Sequence, residues 1–142
     1  MNKEQIKLKI QRLVNQYNAG NYLHVIKESG ILLKKLPTNL FLMNLIGSSF
    51  QRIGQLEKAK KIFEDVVALD NSNAAALNNL GNTNKLLKDF KSAEEAYKQA
   101  LKINPNFAEV HNNLGNTYKE LGKLEEAISC YELAINSDAV YP

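Results

Sequence analysis

Glycine recurs in this chain on a fixed beat. Gly47, Gly81 and Gly115 stand 34 residues apart, and the phrase around the last two is the same: Asn78-Asn79-Leu80-Gly81-Asn82 and Asn112-Asn113-Leu114-Gly115-Asn116. A second series, Gly20, Gly54 and Gly122, falls on the same period, with Lys88 at the missing place. A constant period of roughly 20 to 50 residues marks a chain built from stacked copies of one supersecondary unit, each unable to bury its apolar face alone.

The stretch from Ala108 shows what that unit is. Leu114, Gly115 and Tyr118 lie on one helical stripe, and Ala127, Tyr131 and Ala134 follow at i, i+4 and i+7. Gly122 between them is where a helix stops and the chain turns. Two amphipathic helices joined by a tight turn form an antiparallel hairpin. The small Gly115 and Ala127 predict close approach of two helix backbones, with Tyr118 and Tyr131 filling the space left over.

These residues resemble the tetratricopeptide repeat, a 34-residue helix-turn-helix with Leu-Gly, aromatic, Ala, aromatic, Ala and Pro at set places. The resemblance implies an all-α fold: a right-handed superhelical solenoid of four antiparallel hairpins and about eight helices. Three well-formed units are expected at 40–73, 74–107 and 108–141, preceded by a degenerate capping repeat at 6–39, all in a single array over 1–142. In the first unit Leu13 stands where the glycine belongs, Gly20 keeps the turn, and Pro37 keeps the inter-repeat proline. Its helices are predicted at about 4–18 and 21–35, and Gly30, inside the second, is unaccounted for. Asn39 offers a cap to the helix that follows. In the third unit Asn84 replaces the aromatic found at Phe50 and Tyr118, so it must find a hydrogen bond or loosen the packing. In the fourth, Ser137-Asp138-Ala139 stands where Asn104-Pro105-Asn106 stood, and the helix from Leu124 lacks a polar successor. Solenoids normally end in a polar capping helix. The chain is therefore expected to be a fragment of a longer array, or else a short protein whose last helix is covered by a twin molecule or by crystal contacts.

Charge and chemistry exclude several classes. The net charge is +3, with +5 in residues 1–39 and −2 in the remainder. Basic residues are not interleaved with aromatics, so no nucleic-acid partner is expected. The lysines of the first unit read as a solvated outer face or as an anionic docking patch. No apolar run approaches the ~20 residues of a membrane span, and the charged start lacks a signal peptide's apolar core. The single Cys130 excludes a disulfide framework and suits a reducing compartment, so the cytoplasm is expected. His24 and His111 fall in different helices, and no catalytic constellation, metal-ligand spacing or phosphate loop exists. Neither enzymatic activity in this chain nor a cofactor is expected.

Asparagine stands out instead. In this repeat family the first helices line the concave surface, and places 2, 5, 6, 9, 12 and 13 of the unit commonly meet a ligand. Places 5, 6 and 9 hold Asn78, Asn79 and Asn82, then Asn112, Asn113 and Asn116, while Asn44 and Ser48 hold places 5 and 9 of the second unit. Each amide offers two N–H donors and an acceptor oxygen, enough to grip a peptide backbone without reading its side chains. The alternative is that these amides fill the helix surface or bond the neighbouring repeat. The phrasing is similar to the repeats of the O-GlcNAc transferases and of bacterial multi-repeat glycosyltransferases and sulfotransferases. That resemblance implies a backbone-gripping role for Asn79 and Asn113. Leu45 and Gln11 break the series at place 6. Asn44, Asn78 and Asn112 stand where a carboxylate clamp needs lysine, so acidic C-terminal tails are not expected ligands. The partner is expected to be an extended protein or peptide segment, or a partner's helix; self-association through the last helix or assembly of other proteins is the competing reading.

Overall fold

The computed structural model describes residues 1–139. These form eight α-helices: α1 (Lys3–Asn18), α2 (Tyr22–Lys35), α3 (Leu40–Arg52), α4 (Leu56–Leu69), α5 (Ala74–Leu86), α6 (Phe90–Ile103), α7 (Ala108–Glu120) and α8 (Leu124–Ala139). The fold is all-α, with no strand among the described residues. The helices divide into two compact units, Met1–Leu69 and the chain from Asp70 onward. In the first unit α1/α2 and α3/α4 are hairpins, and α2 packs on α3. In the second, α5/α6 and α7/α8 are hairpins, and α6 packs on α7. The end of the expected fourth repeat, at 140 and 141, lies outside the described residues.

Local sequence explains the helix ends. Asn2 caps α1 in a capping box, its Oδ1 accepting from Gln5 N at 2.9 Å while Gln5 Oε1 accepts from Asn2 N at 3.0 Å. Asn39 and Asn73, one period apart, cap α3 and α5 by accepting from Leu42 N (3.0 Å) and Ala76 N (2.9 Å). The next place in that series is Phe107, and α7 has no side-chain cap. The turns repeat as well: Gly20, Gly54 and Gly122 take φ of +84°, +81° and +76°. Lys88 occupies the same left-handed conformation at φ +64°, where a Cβ is crowded. Lys88→Gly is therefore expected to stabilise the second unit by about 0.5–1 kcal/mol, the relief of strain exceeding the extra entropy of the unfolded chain. Urea denaturation should show the midpoint rising.

The glycines of the first series do a different job from the one read in the sequence. They make room for a ring on the second helix, not for its backbone. A Cβ on Gly47 would lie 2.7 Å from Phe63 Cε1, one on Gly81 2.5 Å from Tyr97 Cε1, and one on Gly115 2.7 Å from Tyr131 Cε1. In all three hairpins the ring sits 16 residues after the glycine and packs against the first helix there. Phe63 and Tyr97 are fully buried, and Ala59, Ala93, Ala100, Val66 and Val110 complete the interior around them. Ser49, Thr83 and Thr117 form a further series, each fully buried, each hydroxyl donating to the carbonyl four residues back: Leu45 (2.8 Å), Asn79 (2.9 Å) and Asn113 (2.9 Å). That bond satisfies the hydroxyl without a partner from another helix.

The first hairpin reverses the size pattern. Leu13 stands at the glycine place and the fully buried Ser29 at the ring place. The backbones of α1 and α2 run close over a shorter stretch than those of the other three hairpins. Leu13 packs with Val25, Leu32, Leu42 and Leu45 in a cluster that ties α1 and α2 to α3. Arg52 at the end of α3 lies 6.0 Å from the ring centres of both Tyr17 and Tyr22, which meet edge to face. Gly30 has open space where its side chain would be, and nothing in the structure requires glycine there.

Candidate functional site: the asparagine face of the second unit

The first helices of the second unit, α5 and α7, touch each other. Between them Asn78, only 4% exposed, is the centre of a polar network. Its Nδ2 donates to Glu109 Oε1 at 3.4 Å, and its Oδ1 accepts from Asn113 Nδ2 at 3.1 Å. Asn78 thus spends its amide joining one repeat to the next. Asn113 is oriented by the same bond, with its Oδ1 and second N–H left over. Asn79 is half-buried and makes no side-chain hydrogen bond. Asn82 and Asn116 are held from the other side: the Tyr97 hydroxyl donates to Asn82 Oδ1 at 2.5 Å and the Tyr131 hydroxyl to Asn116 Oδ1 at 2.6 Å. Their Nδ2 groups stay available. Asn112 is exposed. In the first unit Asn44 and Ser48 are half-buried on α3, and Asn44 Oδ1 is buried with no partner.

Three residues of this face fall outside the set expected to meet a ligand. Glu109 sits at place 2, one of the places the repeat family uses, and could have been found by that count. Tyr131, expected to fill space beside its glycine, and Tyr97 one period before it each also span from a glycine to an asparagine 15 residues earlier. Burial, and then the charge of Glu109, push the Tyr97 hydroxyl well above its ordinary pKa, so it remains a proton donor to Asn82 throughout the neutral range.

A second polar group crosses from α6 to α7. Glu94, 8% exposed, pairs with Lys98 at 3.2 Å and is bonded by the Tyr118 hydroxyl. Burial works to raise the Glu94 pKa, but the Tyr118 and Lys98 hydrogen bonds and the charges of Lys98 and Lys123 hold it below the ordinary carboxylate value. Lys98 and Lys123 flank the Tyr118 ring at 5.9 and 5.8 Å. Asn84, at the corresponding place of α5, is 3% exposed with its Oδ1 unpartnered. His111 is buried, its Nε2–H donating to the Pro105 carbonyl at 2.7 Å. Burial and the nearby Glu126 push the Cys130 thiol above its ordinary pKa, which leaves it a poor nucleophile. Among the described residues no cluster of three or more His, Cys, Asp or Glu could hold a metal ion, and no helix is long and apolar enough to cross a membrane.

The repeat geometry agrees with the family models. A model described as "TPR repeat" matches residues 86–122, and two described as "Tetratricopeptide repeat" match 42–73 and 108–138. The chain is a tetratricopeptide-repeat protein. No curated protein matches its sequence. Among solved structures this tetratricopeptide chain is similar to a crystal structure of MamA, with 25% identity over 89% of this chain and 74% of that one and a TM-score of 0.80. A second MamA crystal structure gives 24% identity over 95% and 74% of the two chains, with a TM-score of 0.82. MamA from residue 41 to its end, from Desulfovibrio magneticus RS-1, gives 20% identity over 94% and 75%, with a TM-score of 0.85. At such identities the likeness speaks for the tetratricopeptide fold.

Proposed function

We propose that this chain is a protein-binding module that captures an extended segment of a partner along the face of α5 and α7. The observation that carries the reading is the division of labour among the asparagines. Asn78 is consumed in joining the two repeats, and it fixes Asn113 beside an unpaired Asn79. Unsatisfied amides on adjacent helices can bond the N–H and C=O groups of an extended backbone. The Glu109 carboxylate adds a preference for a cationic side chain and disfavours acidic tails. Recruitment of substrates to a transferase, in the cytoplasm, is the setting that the phrasing of the repeats favours.

The test uses peptides selected from a random displayed library on the wild-type chain. Replacing Asn79 and Asn113 together by alanine removes about two hydrogen bonds, about 2 kcal/mol, so binding of the selected peptides in fluorescence anisotropy should weaken roughly 30-fold. Melting should fall by about 1 kcal/mol, because Asn78 Oδ1 loses its donor. Unaltered peptide binding in the double variant refutes the reading.

A second reading, self-association, is favoured by α8. Leu124, Ile128 and Ile135 lie at i, i+4 and i+11 on this helix and are 62%, 57% and 67% exposed. Single exposed apolar residues are common, but a row along one helix marks an interaction surface.

A further inference from the structure

Resting on that second reading, we infer that the exposed row of α8 docks into a basic cleft between α1 and α2 of a second copy of this chain, so that copies join head to tail. The two surfaces are the open halves of a contact that the second unit makes internally. There, α6 lies against α7, where Glu94 and Lys98 of α6 meet Tyr118. Counting back three periods, Tyr118 corresponds to Gln16. Gln16 lines a cleft of about 330 Å³ between α1 and α2, together with Leu13, Ile31 and Leu32. Apart from Met1, the residues that line it all come from α1 and α2. Leu8 on α1 tells the same story: its counterparts Leu42, Ala76 and Val110 are fully buried, whereas Leu8 is 54% exposed.

The other half is α8. On α6, the places of Leu124, Ile128 and Ile135 are held by Phe90, Glu94 and Leu101, and α7 packs on that helix. On α8 the corresponding row meets water. Charge selects the pairing. The lining of the cleft carries Lys9, Arg12 and Lys35 against the single carboxylate of Glu28, and among the described residues none of the three cations is in a salt bridge. Helix α8 carries Glu125, Glu126 and Glu132 and contains no Lys, Arg or His. An acidic helix with an apolar row suits a basic-rimmed apolar slot, whereas two α8 helices would repel each other. The docked surfaces differ, so the contact is heterologous: it closes into a ring if the rotation permits and otherwise continues as a filament.

Two variants with substitutions at exposed places separate the halves. Ile128→Lys spoils the α8 row and keeps the cleft; Lys9→Glu with Arg12→Glu spoils the cleft and keeps α8. Circular dichroism serves as the check that both remain helical. In sedimentation velocity the wild-type chain is expected to grow with concentration and to shrink as salt rises. Each variant alone should stay monomeric, and an equimolar mixture should form a 1:1 dimer and nothing larger, because each contributes one intact surface. If the Lys9→Glu, Arg12→Glu variant associates as the wild type does, or the mixture stays monomeric while the wild type assembles, the cleft is not the receiving surface although self-association stands. If the wild type is monomeric at every concentration, both this inference and the self-association reading fall.

Discussion

Gly81→Leu is expected to bring the second unit to the edge of unfolding. The first atom of the new side chain would lie 2.5 Å from Tyr97 Cε1 and 2.7 Å from Cδ1. The ring cannot move aside, because Tyr97 is fully buried and its hydroxyl is held by Asn82. Overpacking of this kind costs about 1–3 kcal/mol, and losing the Tyr97–Asn82 bond adds about 1 more. A unit of this size has only about 3–5 kcal/mol in reserve. Amide protection in α5 to α8 should collapse in hydrogen exchange. The first hairpin supplies the control. It holds leucine at the glycine place and serine at the ring place, so Gly81→Leu combined with Tyr97→Ser should regain protection that Gly81→Leu lacks. Equal loss in the single and double variants would show that the glycine is required for something other than room for the ring.

Phe63→Ala is expected to cost about 3–5 kcal/mol, the range for deleting a fully buried aromatic side chain. Phe63 is 0% exposed and its ring covers Gly47, which has no side chain to fill the resulting hole. The loss should be visible in urea denaturation of the first unit. Adding Gly47→Ala to Phe63→Ala should return a fraction of it, while Gly47→Ala alone should destabilise, since its Cβ would stand 2.7 Å from the Phe63 ring. The sign of one methyl group thus depends on the residue 16 places later.

Much of this architecture is legible in the sequence because the repeat is written in backbone terms. Gly20, Gly54 and Gly122 mark turns that need a left-handed residue, and apolar residues at i, i+4 and i+7 mark the helices between them. The predicted helices at about 4–18 and 21–35 correspond to Lys3–Asn18 and Tyr22–Lys35, and Asn39 caps α3 as its position suggested. What periodicity does not carry is the object on the other side of a small residue. Gly115 signalled closeness, but the sequence does not say whether backbone or ring comes close. The asparagines show the same gap. Asn78, Asn79 and Asn82 are one residue type within five positions, yet one bridges repeats, one is free and one is held by a tyrosine. Those fates depend on Glu109, Asn113 and Tyr97, which lie 31, 35 and 15 residues away from the asparagines they bond. Asn84 was expected to bond or to loosen its unit; it is buried with its oxygen unpaired.

The exchanged pair of Leu13 and Ser29 has a consequence for how the chain finds its fold. Near-copies of one hairpin invite mispairing, in which a leading helix settles on the wrong follower. Were α1 to pair with α4, Leu13 would be driven against Phe63. Were α3 to pair with α2, Gly47 would face Ser29 across a void. Either mismatch is penalised by bulk or by emptiness, so the volumes of four side chains disfavour an exchange of partners between the first two hairpins.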